Sequence, residues 1–291
     1  MPAGRWLVSF HAFDGNTHYT GDTMTDHLLE SFEEGVATFT MNRPEARNAM
    51  SGEMMDALRK GAERAALDPK VRCVVLTGAA GAFCAGGDVK GQAKAASERS
   101  SGQKPSVPAR VHGLRAGMEL TRILHEMPKP TVAVIPGAAA GAGLSLALAC
   151  DLRVALDTAK LTTAFAKIGA SGDYGGSYFL PRLVGAAKAR ELYFMSDVIS
   201  GQQASELGLV NYAYPAQTFE AEAHQLAARL AALPTVAIGY MKRNLNAADS
   251  AGLSEVMDLE AEHMVRTMMT EDHARAAQAF VDKRPPAFEG S

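Results

Sequence analysis

Apolar positions along this chain fall first into alternation and then into helical spacing, and the same order returns further on. From about Asp26, "HLLESFEEGVATFTMNRP" alternates on either side of Glu33–Gly35 and predicts two short strands closed by Pro44. "SGEMMDALRKGAERAALD" follows with Met54, Met55, Leu58, Ala62, Ala65 and Ala66 at helical spacing, the mark of an amphipathic helix. "VRCVVLTG" is an apolar run ending at a glycine and reads as a buried strand. The order then recurs. "GMELTRILHEM" puts Leu120, Ile123, Leu124 and Met127 on one helical face, "TVAVI" is a strand, "GAGLSLALAC" a small-residue helix and "DLRVAL" another strand. Between Val89 and Val111 the residues are mostly Lys, Ser, Gln, Gly and Pro without periodicity, which predicts a mobile surface loop. After Pro215 the chain is rich in Ala, Met and Glu at helical spacing and carries no strand signal. The pattern predicts an α/β core of strand–strand–helix units over residues 26–215. A helical region, 216–291, would pack on that core or on a neighbouring subunit. Residues 1–25 read as a flexible extension, with Met24 as an alternative start.

Composition narrows the function classes. The 291 residues are 47% hydrophobic and 21% charged, ordinary for a soluble domain with ample core material. A net charge of -3 gives no electrostatic reason to expect nucleic acid or an anionic membrane as partner. Cys73, Cys84 and Cys150 are odd in number and sit in apolar surroundings, so they read as reduced thiols of a cytoplasmic protein. No apolar run approaches the ~20 residues that span a bilayer, and the first residues lack the basic start and apolar centre of a signal peptide. The histidines form no pair at ligand spacing, so no metal is expected.

Two strand-to-glycine junctions could carry chemistry: "VVLTGAAGAFCAGGDVK" and "TVAVIPGAAAGAGLSLALAC". Small residues there let a substrate oxygen approach unpaired backbone N–H groups, and two such junctions aimed at one point would form an oxyanion hole. Tight helix–strand packing explains the same composition. A dinucleotide site is a poor fit, because Leu146 stands where the third glycine belongs. No G-x-S-x-G elbow exists, and Ser145 reads as a packing residue. The glycine-rich stretch "FAKIGASGDYGGSYFLPRLVG" carries one carboxylate, Asp173. On its own that acid reads first as an Asx-turn or helix N-cap, and as a catalytic group only second.

Four segments in order, "MNRPEARNAM", "GAFCAGGDVK", "MPKPTVAVIPGAAAGAGLSLALACDLRVA" and "SGQQASELGLVNYAYP", resemble the enoyl-CoA hydratase/isomerase (crotonase) superfamily from about Asp26 to the C-terminus. The resemblance implies a crotonase (ClpP-like) spiral of ββα units, a helical trimerisation region, and a homotrimer or a hexamer of two trimers. It implies an acyl-CoA thioester as substrate, with CoA arriving as part of it and no other cofactor. It places oxyanion donors at Ala85 and Ala142, and puts Ala46, Arg47, Ala49, Gly87, Asp88, Val89, Lys90 and Ala138 along the CoA and thioester path. Typical hydratases of the family hold water between two glutamates; those positions fall here on Ser145 and Phe165. Asp173 matches an aspartate that dienoyl-CoA isomerases, phenylacetate-pathway epoxide and oxepin isomerases and 4-chlorobenzoyl-CoA dehalogenases place over the acyl group. The stretch around it is most similar to the phenylacetate-type isomerases. Dehalogenation is set aside, because Met118 and Phe165 stand where a histidine and a tryptophan belong and the one tryptophan is Trp6.

The implied activity is enoyl-CoA isomerisation, with Asp173 as proton shuttle beside an acyl wall of Phe165, Ile168, Gly169 and Tyr174. A hydratase in which Asp173 activates water, a thioester or C–C hydrolase, and a non-catalytic acyl-CoA-binding subunit remain the alternatives. Glu119 is the weaker candidate acid.

Overall fold

The computed structural model describes residues 25–88 and 106–291. Strands β1 (Leu28–Glu33) and β2 (Val36–Met41) form an antiparallel hairpin, Leu28 opposite Met41 and Glu33 opposite Val36. Its two-residue turn, Glu34 and Gly35, has positive φ at both positions, which matches the twist of the strands it joins. Helix α1 (Gly52–Leu67) begins where the Ser51 hydroxyl accepts the Met54 N–H, and it buries Met54, Ala57, Leu58, Ala62 and Ala65. Met55 and Ala66 of the expected stripe are only half-buried at its margin.

Three strand pairs then follow: β3 (Cys73–Gly78) with β4 (Ala82–Cys84), β5 (Thr131–Ile135) with β6 (Ala138–Ala140), and β7 (Leu152–Leu156) with β8 (Lys160–Thr162). In each pair the first strand joins one sheet and the second joins another. The six-stranded sheet runs β1-β2-β3-β5-β7-β10, where β10 is Tyr212–Tyr214; the four-stranded sheet runs β4-β6-β8-β9, where β9 is Ile199–Ser200. Neighbours from β2 to β10 in the large sheet are parallel, as are β4, β6 and β8 in the small one. The chain therefore spirals, and the strands of each sheet end on a common edge.

Helices link the turns. They are α2 (Val107–Gly117), α3 (Glu119–Glu126), α4 (Ala142–Leu148), α5 (Gly176–Met195) and α6 (Gly201–Glu206). Every residue of β5 is buried, because both faces of the large sheet are covered. One face lies on the main core around Phe39, Leu58, Leu76 and Leu124. The other meets α7 (Phe219–Ala231) through Phe219, Ala223, Ala227 and Ala231. Helices α8 (Thr235–Ala248), α9 (Leu253–Met268) and α10 (Glu271–Val281) complete the chain. Buried Lys242 fastens α8 to the core, its ammonium donating to the Leu124 and Lys129 carbonyls and to Asp151 Oδ2 at 2.8–3.2 Å.

Two elements depart from the sequence pattern. The span from Val89 to Val111 was expected as loop, yet α2 begins at Val107, capped by Ser106 with a proline in its first turn; residues 89–105, like the expected extension over 1–24, lie outside the described residues. Helix α2 buries none of its residues: Val107, Val111 and Leu114 fall at helical spacing but stay exposed, in a short stretch broken up by Pro108, Gly113 and Gly117. Strand β6 is a run of three alanines that carries no alternation. No helix of the described residues is long and apolar enough to cross a membrane.

Candidate active site

The site begins where β4 and β6 end side by side. The strands pair in parallel, Ala82 with Ala138 and Cys84 with Ala139, so the chain leaves both at the same edge. Gly86 lies in the loop after β4 with φ +88, and a methyl there would fall 2.7 Å from the Ala140 carbonyl oxygen and 3.4 Å from the Ala142 nitrogen. Only glycine allows both that backbone and that approach. Across the gap, a methyl at Gly143 would fall 2.4 Å from the Cys84 carbonyl oxygen. The two loops are thus in backbone contact. Ala142 is the first residue of α4, its N-cap Gly141 offers no side-chain cap, and its N–H meets no acceptor among the described residues.

Ala85 does not supply the second donor. Its N–H is donated to the Arg47 carbonyl at 3.0 Å. The available amide is that of Gly87. The Gly86 carbonyl accepts the Met50 N–H at 2.8 Å, and a trans peptide sends its N–H opposite to its C=O. The Gly87 N–H therefore faces away from the 47–50 segment, and it has no acceptor among the described residues. Gly87 is also exposed, whereas Ala85 is half-buried. The free pair at this edge is Gly87 and Ala142.

What shapes the loop is the segment from Arg43 to Met50, whose central residues the sequence pattern did not single out for this task. Arg47 and Asn48 adopt consecutive left-handed conformations, φ 51 and 57. Asn48 is 0% exposed. Its Oδ1 accepts the Arg43 N–H at 2.9 Å, and its Nδ2 donates to the carbonyls of Ala79 and Ala82 at 3.0 and 2.8 Å. Arg43 in turn donates to the Ala49 carbonyl and to Asp88 Oδ2, at 2.6 and 3.2 Å. The asparagine in "RNAM" was visible, but its partners lie on β4 and its approach. Of the expected path residues, Ala46 is half-buried, Arg47 exposed, Ala49 buried, and Ala138 half-buried at the start of β6. Val89 and Lys90 lie outside the described residues.

Asp173 sits in a loop held in unusual backbone conformations: Gly172 has φ +106, Tyr174 φ +51 and Gly175 φ +78. Its carbonyl accepts the Gly176 N–H at 3.2 Å, closing a turn. Its side chain does something else. Helix α5 has Gly175 at its N-cap and no side-chain cap, so the carboxylate is neither cap nor Asx-turn. Asp173 Oδ1 is buried without a hydrogen-bond partner. Removal from water pushes the carboxyl above its ordinary range, with no cation among the described residues to offset it. A buried unsatisfied carboxylate is costly, and such groups concentrate at functional sites.

The surroundings are aromatic. Phe165 is buried and stacked on Tyr193, ring centroids 6.0 Å apart and planes 10° from parallel. Tyr174 is buried, and desolvation followed by the Asp173 charge pushes its hydroxyl up to about 12. Ile168 is not part of this wall: it is 61% exposed, on the outer side of a short 3-10 turn ending at Gly169. At the two expected glutamate positions stand Phe165 and Ser145, the latter donating its hydroxyl to the Gly141 carbonyl at 3.3 Å. Phe165 joins the two halves of the site, since methyls at Gly141 and Gly172 would each meet its ring at 3.6 Å. Glu119 is paired with Arg122 and Arg115, and its hydrogen bond to Arg122 holds its carboxyl below the usual range, which suits no proton-accepting role at neutral pH. The three cysteines are buried and free, and burial raises the thiol of Cys84, the one beside the site, to about 12. Among the described residues no three His, Cys, Asp or Glu side chains are grouped to hold a metal.

Two parallel strand ends with unpaired amides, joined through the Phe165 ring to the loop that carries a half-buried carboxylate, form an arrangement able to stabilise an enolate-like oxygen while a proton moves. Comparison with known proteins gives the family. The enoyl-CoA hydratase/isomerase family model matches residues 31–291, and the chain belongs to that family. It is 35% identical to the 1,2-epoxyphenylacetyl-CoA isomerase of Escherichia coli K12, covering 92% of this chain and 100% of that one. It is 32% identical to the mitochondrial methylglutaconyl-CoA hydratase of Rattus norvegicus, covering 93% and 84%. An enoyl-CoA hydratase from Polaromonas sp. JS666, solved by crystallography, superposes with a TM-score of 0.82 at 32% identity, covering 90% and 99%. The fold is the crotonase spiral with a helical C-terminal region, and the protein is an enzyme of isomerase/hydratase type.

Proposed function

We propose that this enzyme isomerises an enoyl-CoA thioester, moving a proton between two carbons of the acyl group with Asp173 as the carrier. The thioester carbonyl sits between the Gly87 and Ala142 amides. The Asp173 carboxylate removes a proton from the carbon next to the thioester, and the electron pair moves onto the carbonyl oxygen, where the two N–H groups hold the enolate. Asp173, now protonated, returns the proton at the far end of the conjugated system, so the double bond shifts and no atom is gained or lost. CoA arrives with the substrate and no further cofactor is invoked.

The observation that carries this reading is half-buried Asp173, whose Oδ1 is shut away from water without a hydrogen-bond partner among the described residues, in a site whose other expected acid positions hold Ser145 and Phe165. Its raised pKa is what a base returning a proton to carbon needs. The likeness to the Escherichia coli isomerase supports the same choice over hydration. The helical C-terminal region serves assembly into a trimer or a pair of trimers: Met241, Leu245, Leu253, Met257, Met264 and Met268 on α8 and α9 are all exposed. Three buried free cysteines suit a reducing, cytoplasmic setting.

The test is incubation with 3-enoyl-, dienoyl-, crotonyl- and phenylacetyl-type CoA thioesters in D₂O, followed by mass spectrometry. Double-bond migration with deuterium uptake and no added water supports isomerisation. A mass gain of one water would establish a hydratase instead, and release of free CoA a hydrolase.

A further inference from the structure

The loop that carries Asp173 has few backbone hydrogen bonds of its own and three residues around the acid with positive φ. Such a backbone persists only where its surroundings over-determine it. Phe179 and Thr121 meet it at Gly175, and at Gly172 and Gly176 it meets a side chain from the far half of α5, which Gly185, non-helical at φ 76 and ψ 160, breaks from the first half and turns back. Tyr193 reaches back beneath the loop, its ring edge against Gly172, where a methyl would fall 3.0 Å from Cε1, and its hydroxyl against Gly176, where a methyl would fall 2.4 Å from the oxygen. It therefore touches the chain immediately before Asp173 and three residues after it. The ring is fixed in turn by stacking on Phe165, and the hydroxyl accepts from Ser177 Oγ at 3.5 Å. Ser145 Oγ presses on Gly176 from the same side, 2.5 Å from the position a methyl would take.

We propose that Tyr193 is the positioning residue for Asp173: gripping the loop at Gly172 and Gly176, it holds the half-buried carboxylate where it reaches the acyl group. This inference rests on the assignment of Asp173 as proton carrier. Tyr193 acts through the loop and need not meet the substrate. A displacement of about 1 Å at a reacting group costs on the order of a hundredfold in rate, so both halves of the grip, the ring at Gly172 and the hydroxyl at Gly176, bear on turnover. The ionisable groups around the acid among the described residues are the Tyr193 and Tyr174 hydroxyls, with the Cys84 thiol facing Tyr174 from β4. All three stay neutral across the working pH range, and water admitted by a loosened loop is what would change the Asp173 titration.

Tyr193→Ala, Tyr193→Phe and Asp173→Asn are compared with wild type using trans-3-hexenoyl-CoA, reading kcat, KM and the pH profile. Amide hydrogen exchange over residues 169–177 is measured alongside, because it reports the grip whether or not that thioester is turned over. Tyr193→Ala is expected to lower kcat by about ten- to a hundredfold with KM changed by less than about threefold. It moves the acid limb of the profile to lower pH as Asp173 is rehydrated, and speeds exchange in the loop. Tyr193→Phe keeps the ring against Gly172 and loses the hydroxyl contact at Gly176, so its kcat, acid limb and loop exchange are expected to fall between those of wild type and Tyr193→Ala. An inactive Asp173→Asn beside a fully active Tyr193→Ala, or loop exchange unchanged in Tyr193→Ala, overturns the Tyr193 role alone. A fully active Asp173→Asn overturns the assignment of the acid, and the positioning role with it.

Discussion

The Ala85 N–H is donated to the Arg47 carbonyl at 3.0 Å, and two residues further on the Gly87 N–H faces the other way with no acceptor among the described residues. One peptide plane, between Gly86 and Gly87, separates the amide that builds the loop from the amide that the loop presents. Its orientation is set by Met50, whose N–H takes the Gly86 carbonyl, and by Asn48, which ties the approach to β4 in place. The oxyanion hole proposed here is thus a product of the 43–50 segment as much as of the loop that contains it.

Asn48→Ala is expected to lower stability by about 2–4 kcal/mol, because it leaves the Ala79 and Ala82 carbonyls and the Arg43 N–H without their partner in a buried place. Urea denaturation measures it. A change below about 0.5 kcal/mol, the range of an ordinary surface substitution, would contradict the role given to Asn48.

Gly86→Ala attacks the hole while leaving both donor residues unsubstituted. The added methyl meets the Ala140 carbonyl at 2.7 Å in a backbone with φ +88, a strain of about 1–3 kcal/mol that the loop relieves by moving. Turnover is expected to fall by about a hundredfold, while circular dichroism shows the fold intact. Unimpaired turnover would place the enolate elsewhere.

Restoring a glutamate does not restore hydration. Ser145 is buried against Gly176 and Tyr193, so Ser145→Glu overpacks the site and buries a second acid near Asp173. The variant is expected to lose about 2 kcal/mol or more of stability and to add no water to crotonyl-CoA, as read by mass spectrometry. Efficient hydration by this variant would show that the missing acid alone separates the two chemistries.

Asp173 links activity and stability with opposite signs. Its folded pKa is raised above the ordinary value of 3.8, so its favourable contribution is complete below that ordinary value and is lost as pH rises through the raised one. At pH 7 the ionised, unpartnered side chain destabilises the fold. Asp173→Asn is therefore expected to melt higher than wild type at pH 7, with the gap closing as pH falls toward 4. A melting temperature that drops at pH 7 would mean that the carboxylate is a structural anchor. In the active enzyme the same raised pKa sets the acid limb of kcat, which is expected to lie above the ordinary carboxylate range and to fall as pH drops through it.

Much of this molecule was legible as pattern. The hairpin, α1, β3, β5 and β7 show themselves by alternation or helical stripes, because each buries one face or two. Strand β6 and α2 do not, the first being three alanines inside "PGAAAG" and the second having no buried face at all. The site was legible in its chemistry but not in its register. The resemblance pointed to the loop after β4, and which of its amides is free depends on Met50 and Arg47, far away in sequence. Ile168 was expected beside Asp173 by adjacency, and the 3-10 turn carries it outward. Tyr193 gave no signal, since its role comes from folding back beneath two glycines.

Assembly is open to a simple check. Leu245 and Met257 are exposed on adjacent helices at the end of the chain, and Leu245→Glu with Met257→Glu is expected to convert a trimer or hexamer into smaller species by light scattering. An unchanged mass would remove this surface from the interface.

The proton-carrier assignment is tested most directly by the kcat of Asp173→Asn on the thioester that wild type turns over. The account predicts a loss of about 10²- to 10⁴-fold, the ordinary worth of a positioned acid–base group. A rate within about threefold of wild type would contradict it.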